Sequence, residues 1–435
     1  MERTQLPDTV PGRSRGGLAI GTGTALCVGA VLGPGALALA SSAAAVAGPA
    51  SVLAWLGLIA VSLPIALAFA ALGARHPGGG GVASFVQRAF GKRWAAPAGW
   101  WFFWAVPLGV PAAALIGGQY AAAVGGRGRG AALVFALLVL AAAYGANLVG
   151  LRLSGRLQLL MVGFLALLLA VTIAVTSPQV ERDHFTPFLP QGWASVGDAA
   201  VVLFFAFAGW EALSHLSAEF SAPQRDLPRA TLLAWGIVAV LYLGLAVVTI
   251  GVLGGRAGTT TTPLTLLLER GIGPAARPLA AAAALLLTFG AVNTYLAGGA
   301  RLGQALGREG AMPRLLATDS AGPGAEPRRP LTVLALSSVA VMLASAFGLL
   351  GLDSLFRATS ACLVAVTLAG LLAAVVLLPR RSSLRTGALV GSAAMGVVLL
   401  FCGPFLLLPA ALAVAAVAFR VRNLPSRATR TPRKA

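Results

Sequence analysis

One carboxylate stands out because it interrupts an otherwise apolar stretch of the chain. Glu211 directly follows the apolar run 204–210 and is followed by His215 and Glu219. An ionisable side chain within lipid is costly, so it is a functional candidate by default. Spacings of four residues place these three side chains on one helix face, where a histidine between carboxylates can pass protons at physiological pH. The alternative is structural: Glu211 caps amides at a helix break, and the three side chains form a hydrogen-bonded seam.

A second motif places two glycines and a proline in the middle of the first apolar stretch, within residues 29–35. Pro34 lacks an amide hydrogen and clashes with the preceding turn, while Gly33 and Gly35 permit non-helical dihedral angles. Unwound backbone at membrane depth is tolerated where it lines a cavity or is buried in protein. The exposed amides of a half-helix attract a carboxylate, and freed carbonyls accept an ammonium. The motif therefore favours a zwitterion receptor, with a packing kink as the alternative.

Both motifs lie in a chain whose composition suits lipid. Of 435 residues, 58% are apolar and 10% are charged, whereas soluble domains carry about 25% charged residues. Apolar runs recur that are long enough to cross a ~30 Å hydrocarbon core, without the alternation typical of membrane barrels. We predict an all-α polytopic membrane protein of about twelve transmembrane helices, at approximately 18–40, 52–72, 97–123, 131–149, 157–176, 198–220, 230–254, 278–300, 331–350, 354–378, 386–401 and 404–419.

The basic residues predict the orientation of these helices. With both termini in the cytoplasm (N-in, C-in), most of the 32 lysines and arginines lie on the cytoplasmic side, as the positive-inside rule requires. The net charge of +19 is then a topology signal and not evidence of nucleic-acid binding, and the basic C-terminal tail is expected to contact anionic lipids. The predicted division is a cytoplasmic tail at 1–17, two five-helix repeats at 18–176 and 198–378, two further helices at 386–419 and a basic tail at 420–435.

Other features have simpler interpretations. The three cysteines fall in apolar spans without a metal or disulfide spacing, and the loops are too short for a soluble catalytic domain, so we expect no cofactor and no enzyme activity. The aromatic cluster 100–104 is typical of a membrane interface, although Trp104 lies deep enough to reach a pocket. Gly117 and Gly118 indicate close helix packing. The glycine run 78–81 is interpreted as a hinge, and packing is favoured over gating for Asn293 and Tyr295.

These motifs carry a family resemblance. The segments 29–35, 205–211 and 75–91 resemble the unwound first helix, the F-x-G-x-E segment and the P-x-x-G-G stretch of the amino acid–polyamine–organocation (APC) superfamily. Within it, segments 81–86, 99–111 and 209–220 are similar to bacterial methionine and branched-chain amino-acid exporters. The resemblance implies a LeuT-like 5+5 inverted repeat with discontinuous helices 1 and 6 in the bacterial inner membrane. Two departures bear on coupling: Pro34 replaces a serine or threonine of many relatives, and the fifth span has no lysine.

Taken together, the residues and the resemblance predict a secondary transporter that exports neutral hydrophobic L-amino acids (methionine, leucine, isoleucine and valine) by proton-driven alternating access. The main alternative is a proton-coupled uptake permease or exchanger of the same fold, and a remote one is a non-transporting sensor or scaffold. A homodimer is left open. Glu211, His215 and Glu219 are predicted to couple protons, no metal site is expected, and the predicted substrate-binding residues are Gly29, Ala30, Leu32, Gly33, Pro34, Gly35, Trp104, Phe207, Ala208, Gly209 and Trp210.

Overall fold

The computed structural model describes residues 19–76, 81–150, 155–213, 217, 220, 222–317 and 327–422, and these parts of the chain contain helices and no strand. The α-helices are α1 (Ile20–Val31), α2 (Gly35–Ala47), α3 (Ser51–Arg75), α4 (Gly81–Phe90), α5 (Lys92–Val124), α6 (Arg129–Leu148), α7 (Gly155–Thr176), α8 (Ala194–Phe207), α9 (Pro223–Leu253), α10 (Pro263–Ile272), α11 (Ala276–Arg308), α12 (Arg328–Ala346), α13 (Leu352–Leu377), α14 (Ser383–Phe401) and α15 (Leu407–Arg422).

The apolar helices are numerous enough for a multi-pass membrane protein. Eleven helical stretches within the described residues are long and apolar enough to cross a membrane, and α1 is a shorter apolar helix. One stretch, Gly35–Arg75, has 41 residues and would extend about 60 Å, roughly twice the hydrocarbon thickness. It is interrupted at Gly48, whose φ is +58°, so α2 and α3 are separate helices. The predicted all-α polytopic architecture is confirmed.

Several helices extend beyond the predicted spans. The structure starts α9 at Pro223 and ends α11 at Arg308, whereas the apolar runs predicted a start near 230 and an end near 300. Hydropathy marks only the part of a helix inside hydrocarbon, while backbone hydrogen bonding continues into the polar interface. The last two helices meet at a 3₁₀ turn, Gly403–Leu406, close to the predicted boundary.

The helix α5 lies at the centre of one group of helices and packs against α4, α6, α11, α12, α13 and α15. Its glycines permit these close contacts. A methyl group added at Gly118 would lie 2.2 Å from the Ala132 carbonyl oxygen of α6, and one at Gly117 would lie 2.8 Å from the Thr288 hydroxyl oxygen of α11. The predicted role of this glycine pair in close helix packing is confirmed.

A buried amide pair joins α6 to α11 in the same group. Asn147 donates through Nδ2 to the side-chain oxygen of Asn293 at 2.8 Å and to its backbone carbonyl at 3.2 Å. An amide that is buried in apolar surroundings without a partner is costly, so this pair favours one register of the two helices. Asn293 is thus a packing residue, as the sequence favoured.

A second group consists of α1, α2, α3, α8 and α9, in which α8 packs against α2 and α3, and α9 packs against α1 and α3. A buried tyrosine joins the two groups at one end of the bundle. The Tyr120 hydroxyl of α5 donates to the Leu37 carbonyl of α2 at 2.6 Å and accepts the Leu264 amide of α10 at 3.2 Å. These bonds hold α2 and α10 against α5.

Candidate functional site

The first helix break follows directly from the position of Pro34. In an α-helix the Ala30 carbonyl would accept from the amide of residue 34, but proline has no amide hydrogen. The helix α1 accordingly ends at Val31, and α2 begins at Gly35. Within the described residues, no hydrogen bond reaches the Ala30 carbonyl oxygen or the amide nitrogens of Gly33 and Gly35. Among the described residues, the break therefore leaves one acceptor and two donors without a hydrogen-bond partner.

The second break lies between α8 and a 3₁₀ turn, Trp210–Ala212. Gly209 has φ +136°, a conformation that side chains disfavour. The Glu211 carboxylate folds back and accepts the Gly209 amide through Oε2 at 3.0 Å. This is the capping geometry that the sequence suggested as the structural alternative for Glu211.

The two breaks touch one another. A methyl group added at Gly209 would lie 2.1 Å from the Ala30 carbonyl oxygen, so only a glycine allows this approach. The hydroxyl of Tyr242, on α9, donates to the Val31 carbonyl at 3.0 Å and lies 3.3 Å from the Ala206 carbonyl oxygen. Tyr242 therefore bridges a freed carbonyl from each broken helix, and the two breaks form one structural unit.

Aromatic residues pack behind this unit. The Phe207 ring centroid lies 5.8 Å from that of Trp55 and 5.5 Å from that of Tyr242, which in turn lies 5.0 Å from Trp55. These separations are typical of favourable aromatic pairs. Because Phe207 is 3% exposed, it packs in the core of the second helix group.

Trp210 and Glu211 line a small void between α3, α8, α13 and α14. Its volume is about 10 Å³, which is room for no more than about one water molecule. The void beside the predicted substrate-binding residue Trp210 is therefore too small to hold an amino acid. Trp104 does not line the void; it lies on α5 and packs edge to face on Phe103, with the ring centroids 5.4 Å apart.

The helix α11 carries exposed side chains on two different faces. Leu279 and Leu286 are exposed on one face of this helix, as expected for contact with lipid. Tyr295 is also 42% exposed, although nine residues after Leu286 it lies on the opposite face, about 180° away. It also lies within electrostatic range of the Glu211 carboxyl group and the Tyr242 hydroxyl group. Tyr295 is therefore an exposed side chain of α11 near the paired breaks.

The structure brings most of the predicted substrate-binding residues together. Those that form or flank the two breaks are Gly29, Ala30, Leu32, Gly33, Pro34, Gly35, Ala208 and Gly209. Phe207 and Trp210 are buried behind the breaks, and Trp104 is on α5. Of the predicted proton-coupling residues, Glu211 lies at the second break, while His215 and Glu219 lie outside the described residues.

Two residues at the site, Tyr242 and Phe205, were missed by sequence reasoning, and Tyr295 was assigned to packing in preference to gating. Phe205 is half-buried, lies near Gly35 and packs on Phe356 of α13 at 5.0 Å between ring centroids. The position of the tyrosines in the sequence could have identified them as candidates. The chain has four tyrosines, all within apolar helices, where a buried hydroxyl usually finds a hydrogen-bond partner.

We predict that Gly209→Ala disrupts the paired breaks. Its methyl group would meet the Ala30 carbonyl oxygen, which is backbone and cannot rotate away, and residue 209 would also hold an unfavourable φ. Overpacking of this kind costs about 1–3 kcal/mol. The thermal midpoint of the purified protein should fall and transport should be lost. Gly163→Ala is the control, because a methyl group at Gly163 meets nothing within 4 Å; equal behaviour of the two variants would contradict the prediction.

Comparison with known proteins agrees with this geometry. Residues 21–428 match the family model described as amino acid permease. The chain is 35% identical to the uncharacterized amino acid permease YecA of Bacillus subtilis, over 90% of this chain and 92% of YecA. It is 32% identical to the L-methionine/branched-chain amino acid exporter YjeH of Escherichia coli, over 66% of this chain and 68% of YjeH. The predicted superfamily is thereby confirmed, as is the prediction of a transporter in place of an enzyme. The chain belongs to the amino acid permease family of the APC superfamily, whose members move amino acids across membranes.

Proposed function

We propose that this protein exports neutral, hydrophobic L-amino acids such as methionine, leucine, isoleucine and valine, driven by the proton gradient. The observation that carries the proposal is the pair of touching helix breaks, which leave two amide donors and one carbonyl acceptor without a hydrogen-bond partner among the described residues. The name of YjeH, a methionine and branched-chain amino-acid exporter, supports the same substrate class and direction.

The α-carboxylate of the substrate is assigned to the amides of Gly33 and Gly35. Both lie at the N-terminal end of α2, where the helix dipole adds a partial positive charge. No hydrogen-bond acceptor occupies these amides among the described residues. The α-ammonium is assigned to the Ala30 carbonyl, which Pro34 leaves without a donor. A zwitterion thus satisfies both ends of the break without a dedicated arginine or aspartate.

The substrate side chain is assigned to apolar surroundings. A methyl group added at Gly33 meets nothing within 4 Å, so there is space on this side of the break. Phe205 lies near the neighbouring Gly35 and is half-buried, which makes it a better candidate for this contact than the deeply buried Phe207 and Trp210. Phe207, Trp210 and Trp104 can contact the substrate side chain only if the helices shift during the transport cycle.

Alternating access is assigned to movement of the α1, α2, α3, α8 and α9 group relative to the group around α5. The Tyr120 bonds hold α2 and α10 against α5 at one end, and the exposed Tyr295 of α11 is assigned to the access route from the other end. In this proposal the chain has the LeuT-like 5+5 inverted repeat, with the broken first and sixth spans in corresponding positions. It has twelve spans with both termini in the cytoplasm and lies in the bacterial inner membrane.

Proton coupling is assigned to Glu211 with His215 and Glu219. A charged carboxylate accepts an amide hydrogen bond about twice as strongly as a neutral group. Protonation of Glu211 would therefore weaken its bond to the Gly209 amide and loosen the second break. Capping and proton coupling are thus compatible roles for the same side chain.

The two other histidines are poorer candidates for coupling. His76 lies at the end of α3, where desolvation and the positive charges of Arg88 and Arg75 hold the pKa of its imidazole below its usual value. It is therefore neutral at physiological pH. His184 lies in the loop between α7 and α8, where its Nδ1 bonds the Gly251 carbonyl at 2.7 Å.

An uptake permease or exchanger of the same fold is the second candidate, since the chain is also 27% identical to the branched-chain amino acid permease BcaP of Bacillus subtilis, over 57% of each chain. Transport measured in right-side-out and inverted vesicles at imposed proton gradients separates the two. Export predicts accumulation in inverted vesicles, and accumulation confined to right-side-out vesicles would contradict it.

We predict that Gly33→Val blocks substrate binding without unfolding the protein. The added side chain enters open space and covers the amides assigned to the carboxylate. Loss of one hydrogen bond to a charged group costs about 1.5–3 kcal/mol, so substrate affinity should fall about tenfold or more. The control is Gly163→Val, which also enters open space but lies on α7. Wild-type affinity in a well-folded Gly33→Val protein would remove Gly33 from the site.

We predict that methionine, leucine, isoleucine and valine compete with one another in a vesicle assay, whereas arginine does not compete. Burial of an unpaired guanidinium costs several kcal/mol, far more than the ~0.8 kcal/mol gained per buried methylene. Competition by arginine or by a polyamine at the concentration at which leucine competes would contradict the assigned substrate class.

We predict that Glu211→Gln retains substrate exchange but loses pH dependence and accumulation against a gradient. Glutamine still offers a carbonyl oxygen to the Gly209 amide but cannot titrate. The measurement is the pH profile of transport in proteoliposomes, with net accumulation and exchange assayed separately. A variant whose pH profile matches the parent would leave Glu211 as a helix cap alone.

A further inference from the structure

A polar cavity lies at the end of the bundle where α4, α5, α11 and α15 approach one another. Its volume is about 150 Å³, and it is lined by Gln87, Lys92, Glu309 and Arg420. Lys92 begins α5, Glu309 directly follows α11, and Arg420 lies in the last turn of α15. The helix breaks contribute none of these residues, so the cavity is separate from the proposed transport site.

The charges around this cavity are not paired with one another. Within the described part of the chain, the Glu309 carboxylate forms no ion pair with Lys92 or Arg420. The Arg420 guanidinium donates instead to the Glu309 backbone carbonyl. Two cations and one carboxylate thus surround a space that they do not close, and they match a ligand with an anionic group and a cationic group.

Exposed side chains place the cavity at the level of lipid headgroups. Leu407 and Val414 of α15 are both 72% exposed, so this helix faces lipid along its length and its basic last turn marks the end of the hydrocarbon. Trp94 is 59% exposed and Phe90 is 42% exposed, one on each side of Lys92. Exposed aromatic residues of this kind are enriched at the membrane interface.

Indole hydrogen bonds hold the walls of the cavity in place. Trp100 of α5 donates through Nε1 to the Ala311 carbonyl, in the turn after α11, at 2.7 Å. Trp101 donates to the Pro409 carbonyl of α15, also at 2.7 Å. The three elements that carry Lys92, Glu309 and Arg420 are therefore bonded to one another, so the spacing of the charges is preorganised.

We propose that this cavity binds the phosphoethanolamine headgroup of a membrane phospholipid. The phosphodiester lies between Lys92 and Arg420, the ammonium contacts the Glu309 carboxylate, and Gln87 donates to a phosphate oxygen. A purely anionic headgroup such as phosphoglycerol fits less well, because it brings no cation to Glu309. The bound lipid bridges α4, α5, α15 and the turn after α11, and so stabilises the helix group around α5.

The test is competition between two lipids for the full-length protein in nanodiscs that contain equal amounts of phosphatidylethanolamine and phosphatidylglycerol. Lipid retained by the released protein is measured by native mass spectrometry. The parent should retain phosphatidylethanolamine with about a fivefold preference, the size expected for one exposed ion pair. Glu309→Gln should abolish the preference, whereas Arg420→Gln should reduce retention of both lipids.

Matched variants and a soluble probe complete the experiment. Arg422→Gln removes a charge from the same end of α15 outside the cavity, and Glu181→Gln removes an exposed carboxylate elsewhere; both should retain the parent preference. Soluble O-phosphoethanolamine, added to lipid-stripped protein in detergent, should leave the thermal midpoint unchanged, whereas phosphatidylethanolamine should raise it. Equal retention of both lipids by the parent, an unchanged preference in Glu309→Gln, or an equal thermal shift with the soluble compound would overturn the proposal.

Discussion

The structure depends on the contact between two interrupted helices. Pro34 cannot donate to the Ala30 carbonyl, so α1 stops and that oxygen turns toward Gly209, where a methyl group would come within 2.1 Å of it. Tyr242 then bonds the Val31 carbonyl and approaches that of Ala206. Polar backbone at this depth has to find partners within the protein. No acceptor among the described residues reaches the amides of Gly33 and Gly35, so these amides mark the place where another polar group can bind.

The arrangement of the remaining helices suits this contact. The broken helices lie in the group with α3 and α9, whereas α5 is the centre of the other group. Within the group around α5, glycine contacts and the Asn147–Asn293 pair favour a single register. Between the groups, α13 packs against α8 and α3, and the Tyr120 hydroxyl bonds α2 to α5. The proposed transport cycle requires these contacts to change while each group keeps its own packing.

Glu211 illustrates how one side chain can satisfy both a structural and a functional requirement. Its carboxylate accepts the Gly209 amide, so the second break holds the acid in place. The strength of that bond changes with protonation. In the proposed mechanism, a proton bound at Glu211 weakens this bond and acts on the backbone of the second break. The proposed lipid site at Lys92, Glu309 and Arg420 lies at the helix group around α5, so the two proposed ligands act on different parts of the fold.

The amino-acid sequence alone was enough to predict the class of this protein and the two helix breaks at which the site is proposed. Long apolar runs require helices in lipid, and a proline between glycines requires a break, because these are local properties of the backbone. It also indicated close packing at Gly118, since glycine has no side chain. The tertiary structure decided which broken segments meet, that Phe207 and Trp210 turn into the core, and that Tyr242 and Phe205 lie at the breaks. Those outcomes depend on the rotation of each helix about its axis. That rotation is set by contacts between residues far apart in the chain, such as Ala30 with Gly209, and no local pattern encodes it.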